Sequence, residues 1–234
     1  MHRRLRSASF AASLLVLALA TAFLSAAADP GADLARGLAP LEPWAASGVL
    51  YDRVLPLARL ERFDGSAGAP ACDRATWRQA YDELRRATFP TSTAPALEAL
   101  DRTARALARE RVVPLALLDR AFERIRPGAI ADGAVTIAGD RAVATGEAPL
   151  ERRQATLAAA FAPRTYRGGE VTFALERSLC ITDDPLGPRS IAIDFADGAG
   201  YRPVAPGERV RVRYATPGPR TIAFRLARSD GSVA

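Results

Sequence analysis

The chain has 234 residues, and its 32 basic residues are all Arg, against 26 acidic ones and a single histidine, His2. There is no Lys and no Asn, a pattern expected of GC-rich coding, and the high isoelectric point follows partly from the high pKa of Arg. Beyond His2 the composition excludes a Ser-His-Asp or Cys-His nucleophile, a His-ligated metal, a lysine Schiff base and a P-loop. Any catalysis would rest on carboxylates, Tyr, Cys or Arg.

In chain order, Met1 to Ala28 has the layout of a secretory signal. Arg3, Arg4 and Arg6 form a positive start, Phe10 to Leu24 an apolar stretch, and Ala26-Ala27-Ala28 a small-residue cleavage site. The competing reading, a membrane anchor, needs about 20 apolar residues, and here Asp29-Pro30 intervenes first. Removing the signal leaves 29 basic against 26 acidic residues. That balance is a weak field for steering polyanions and argues against nucleic acid as a partner.

Residues 29–48 read as a loose lead-in rich in Ala, Pro and Gly. Ser47 to Ala58 suits either a short helix or an extended packed segment. Asp73 to Thr88 is an amphipathic helix, with Asp73 as N-cap, Trp77, Ala80, Tyr81 and Leu84 on its apolar stripe, and Pro90 as its stop. A second helix runs from Thr93 to about Arg111, capped by Thr93 with Pro95 in its first turn. For Val112 onward two readings stand: a strand, supported by Val112-Val113, or a third helix from Pro114 carrying Leu118, Ala121, Phe122 and Ile125. From Pro127 short strands follow at 134–138, 142–145, 155–161 and 170–175, with Gly168-Gly169 as a hairpin turn.

The clearest pattern spans Arg189 to Gly231. Ile191, Ile193 and Phe195 alternate with polar residues, as do Val210, Val212 and Tyr214, and then Ile222, Phe224 and Leu226. Turn sequences separate the runs, so three strands of one antiparallel meander are expected. The residues Asp194-Phe195-Ala196-Asp197-Gly198, Tyr214, Pro217-Gly218, Ile222, Phe224, Leu226 and Asp230-Gly231 resemble the polycystic-kidney-disease (PKD) repeat. This family is an immunoglobulin-like β-sandwich of extracellular proteins. The resemblance covers about a quarter of the chain. Ile193, Ala196, Val212 and Arg220 depart from the family's usual Trp, Gly, His and Tyr. It implies a non-catalytic surface module for adhesion or spacing. It also implies a final strand after the Asp-Gly turn, where only three residues follow Gly231.

The expected class is therefore α+β, a helical N-terminal region followed by antiparallel β modules. The divisions are 1–28 signal, 29–128 mostly helical, 129–182 β-rich and 183–234 PKD-like. Arg209, Arg211, Arg213 and Arg225 would share one sheet face, suited either to an anionic glycan or simply to solvent. Asp183, Asp184, Asp194 and Asp197 would hold Ca²⁺ or cap local turns, the latter being the stronger reading, so no metal is assigned. Trp44, Trp77, Tyr81 and Phe89 suit a carbohydrate platform or, at the helical spacing of Trp77 and Tyr81, a core. Cys72 and Cys180 would either form a disulfide, worth about 4–5 kcal/mol in the chain-entropy model, or stay as separate thiols. No catalytic residue and no cofactor are assigned.

The function expected is that of an exported non-catalytic binding or spacer protein, secreted, periplasmic or on the cell surface. Its partner would be an anionic glycan or another surface protein. The alternative rests on Gly48 to Ala58 with Trp77, Tyr81, Glu83 and Leu84, which look similar to the front of large exported bacterial proteins. Some of those carry a lipase-like hydrolase domain, to which this chain would be an accessory region.

Overall fold

The computed structural model describes residues 30–90, 92, 94–161, 166, 168–184 and 186–234. The expected export signal, the expected Thr93 cap and Thr165 of the expected Gly168-Gly169 hairpin lie outside them. Among the described residues three α-helices precede the strands: α1 (Pro30–Leu38), α2 (Arg74–Ala87) and α3 (Leu97–Arg109). Nine strands follow: β1 (Val112–Ile125), β2 (Val135–Ala138), β3 (Arg141–Ala144), β4 (Leu150–Ala160), β5 (Glu170–Thr182), β6 (Ser190–Asp194), β7 (Arg202–Pro203), β8 (Arg209–Arg213) and β9 (Ala223–Ala227). The class is α+β.

The centre is a four-stranded sheet in the order β4-β1-β5-β8, with β1 and β5 parallel and the two outer pairs antiparallel. Its two faces bury different cores. On one, Ala116, Leu118, Phe122, Ala155, Leu157 and Ala159 meet Trp77, Tyr81 and Leu84 of α2 and Leu100 and Ala104 of α3. On the other, Val113, Leu115, Leu117, Val171, Phe173 and Val212 meet Ile191, Ile193 and Leu226 from a second sheet, ordered β7-β6-β9, together with Phe195 just past β6. A strand covered on both sides has no polar face, and this explains why β1 reads as well as a helix as a strand. The third helix weighed for Pro114 onward is not formed. A bulge in β5 opposite Leu115–Leu117 reverses its alternation, so Leu175 and Cys180 face the same core.

α2 starts as its sequence dictates: the Asp73 carboxylate accepts from Thr76 N–H at 2.8 Å. The expected loose lead-in is instead folded. Leu38, Leu41, Ala45 and Leu50 pack on Ala129, Ala134, Val135 and Ala142 around the β2–β3 hairpin. Residues 47–58 form neither regular helix nor strand apart from one 3₁₀ turn at Tyr51–Arg53. Irregular backbone leaves its N–H groups without ladder partners, and carboxylates supply them. Glu83 accepts from Leu57 and Ala58 N–H at 3.1 and 3.0 Å, and from the Tyr51 hydroxyl. Glu123 accepts from Ser47 N–H at 3.1 Å, and Asp52 from Ile125 N–H at 2.6 Å.

The expected meander is corrected. β6 and β9 pair with each other, but β8 pairs with β5 in the central sheet. Their apolar faces still meet, because the two sheets close on one core. Strands from residues 112–125, 170–182 and 209–213 share a sheet, so no boundary at 183–188 separates two independent sheets. After Gly231 the chain turns back along β9: Leu226 and Ala234 exchange N–H···O bonds of 2.7 and 2.8 Å. Arg228 anchors this tail by a bidentate pair to buried Asp119, at 2.9 and 2.8 Å, and also donates to Thr156 at 2.7 Å. Among the described residues no helix is long and apolar enough to cross a membrane.

Candidate functional site

The two sheets leave an open side where the outer edges of β4 and β9 come together beneath the start of α2. Strand geometry fixes which backbone groups face it. Thr156 N–H points away from β1, donating to Phe63 O at 2.7 Å, while Phe161 N–H points toward β1, donating to Pro114 O at 2.8 Å. The outward positions of β4 are therefore 156, 158 and 160. In β9 the bonds between Leu226 and Ala234 mark 226 as outward, so Phe224 faces the same way. Ala158, Ala160 and Phe224 thus turn main-chain donors and acceptors into a cleft of about 710 Å³, which Ile222 also lines.

Its remaining wall is cationic. Arg74 and Arg78 come from the first turns of α2, and Arg220 from the approach to β9. Arg74 and Arg78 share one carboxylate, Asp101, at 3.1 and 2.8 Å. The Nε groups of both are buried without a hydrogen-bond partner among the described residues. Among the described residues Arg220 has only neutral partners, the Thr216 carbonyl at 2.7 Å, the Thr216 hydroxyl at 3.1 Å and the Tyr214 ring 5.2 Å away. Cys72 sits on the rim, and burial, followed by the nearby Asp73 charge, pushes its thiol up to about 12. That shift keeps the group in its thiol form near neutral pH. Three guanidiniums against Asp101 and Asp73 favour an anionic ligand.

The residues singled out from sequence are distributed differently. Arg209, Arg211 and Arg213 do line β8, but each has a carboxylate: Arg209 pairs with Glu110 at 2.7 Å, Arg211 and Arg213 with Glu170 at 3.3 and 3.2 Å. Arg225 lies in the other sheet, 4.3 Å over the Tyr201 ring. The four do not share a face, because β8 and β9 belong to different sheets. No bridge joins Cys72 and Cys180: both thiols are free, packed against the two cores on opposite faces of the central sheet. Burial, followed by the Glu176 charge, pushes Cys180 up to about 12 as well.

Three of the aspartates, Asp184, Asp194 and Asp197, cap local turns, while Asp183 reaches across to the β1 backbone. Asp183 accepts from Ala121 N–H at 2.6 Å, Asp194 from Ala196 N–H at 2.8 Å, and Asp197 from Ala199 N–H at 3.2 Å. Hydrogen bonds from Ser229 and Leu186 hold Asp184 below its ordinary value. Among the described residues no group of three or more His, Cys, Asp or Glu converges as a metal site would. Trp77 and Tyr81 stack at 5.3 Å inside the helix-side core, Trp44 lies apart and half-exposed, and Phe89 lies under Arg53. They form no platform.

The cleft arginines were not singled out, though a signal exists. Arg74 and Arg78 stand in the first turns of α2, which has no acidic residue in its first turn, against the helix macrodipole. In comparisons with known proteins, the chain matches no family model, no curated protein and no solved structure.

Proposed function

We propose that this chain is an exported, non-catalytic binding and spacer module whose last part is an immunoglobulin-type, PKD-like sandwich, and that it holds an acidic surface protein in the cleft between β4 and β9. One observation carries this reading. Arg74, Arg78 and Arg220 converge at an open site where, among the described residues, Asp101 and Asp73 are the carboxylates beside them, whereas the β8 arginines face carboxylates of their own. Export and the PKD-like character are supported by the residues of the first 28 positions and by the Asp-Gly and Pro-Gly turn sequences.

The test is titration with a poly-glutamate peptide, with heparin as a sulfated-glycan comparison. Arg220→Glu is expected to weaken peptide binding by roughly tenfold or more, and Arg211→Glu to leave it nearly unchanged. Binding that fails with Arg211→Glu instead would move the site to β8 and favour the glycan.

A further inference from the structure

We infer that the cleft receives its partner as a β-strand: an extended segment with alternating apolar and acidic residues that adds to the free edge of β9. This rests on the binding role just proposed and names the ligand's form. Among the described residues the two edges bounding the cleft are unpaired over the same stretch, at Ala158 and Ala160 on one side and Phe224 on the other. Unpaired strand edges are templates for another strand, and main-chain bonds formed there depend little on sequence.

The tail of the chain already demonstrates the pairing. Ser232 and Ala234 bond to Arg228 and Leu226, running antiparallel to β9 toward Phe224. A bound segment would occupy the next places on the same line, exchanging N–H···O bonds with Phe224. Its two side-chain faces would meet opposite environments, as alternation in a strand requires. Inward lie Ala158, Ala160, Ile222 and Phe224, part-exposed at the open side of the core between the sheets. Outward lie Arg74, Arg78 and Arg220. The short alanine side chains on β4 leave room for a backbone to approach closely. A glycan or free anion would satisfy the arginines but leave the strand edges and the apolar floor unused.

The experiment uses the whole chain and a short soluble peptide of alternating Val and Glu. Controls are a peptide of the same composition with Val and Glu in separate blocks, and one with Lys in place of Glu. Binding is followed by calorimetry and by amide hydrogen exchange. The alternating peptide is expected to bind, to lose roughly tenfold in affinity with Arg220→Glu, and to slow exchange at the Phe224 amide by roughly tenfold or more. The block peptide should bind more weakly, and the Lys peptide not at all.

Binding that depends on Arg220 but leaves Phe224 exchange unchanged would overturn strand addition while keeping the acidic-partner reading. Absence of binding by both Glu peptides would overturn the two together.

Discussion

The two arginine-bearing margins of this molecule, the β8 edge and the cleft between β4 and β9, look alike in composition and differ in balance. On β8 three arginines project from alternate positions, and Glu110 and Glu170 stand beside them. In the cleft two arginines come from α2 and share Asp101, and the third, Arg220, comes from the approach to β9 and has no carboxylate among the described residues. A row of like charges on a strand is easy to see in a sequence. What governs its readiness for an anion is the set of opposite charges that the fold places beside it, and those lie far away in the chain.

The sharpest contrast in stability should come from setting a β8 arginine against a buried one outside both margins. Arg228→Ala strips buried Asp119 of its cation and is expected to cost about 3–5 kcal/mol in urea unfolding. Arg213→Ala, on β8, removes an exposed pair and should cost under about 1 kcal/mol. Equal costs would break the comparison.

The thiols give a second test. Both Cys72, on the cleft rim, and Cys180 have folded pKa values raised from 9.0 to about 12. The unfolded chain therefore loses these protons first, and the stability they contribute is complete below pH 9 and declines as pH rises toward 12. Each contributes at most about 1.4 kcal/mol per pH unit to that slope. Cys72→Ala and Cys180→Ala should each flatten the fall of the unfolding midpoint on the alkaline side. Tyr51, raised by burial and by its bond to Glu83, adds to the same fall above its ordinary value of 10.0.

Gly65 tests how the tail closes one end of the cleft. It has φ +80°, and a Cβ there would lie 2.4 Å from that of Ala234. Gly65→Ala is expected to cost about 1 kcal/mol or somewhat more, and to speed amide exchange at Ala234 and Leu226. The smallest expected stability effect is that of Arg220→Glu. This exposed change should leave the unfolding midpoint nearly unaltered while weakening binding of the acidic peptide.

How far the sequence disclosed the fold varied with how local the cause was. α2 was legible to within a residue, because its cap and its apolar stripe lie within the helix itself. β6, β8 and β9 were each visible as strands from their alternation. Their partners were not, since pairing β8 with β5 rather than with β9 depends on residues some forty positions earlier. β1 stayed ambiguous because both its faces are buried and its periodicity carries no direction. The cleft was least visible, since its arginines come from positions 74, 78 and 220 and its floor from two strand edges. Only the unfavourable basic start of α2 pointed there.

The link between Asp119 and Arg228 spans 109 positions, and this has a consequence for the order of events during synthesis. β1 emerges from the ribosome with an acidic side chain destined for the interior, and its guanidinium arrives only with nearly the last of these residues. Until then Asp119 has the Thr156 hydroxyl as a partner but not its cation, and a nascent chain halted before β9 would carry that carboxylate without a charge to balance it.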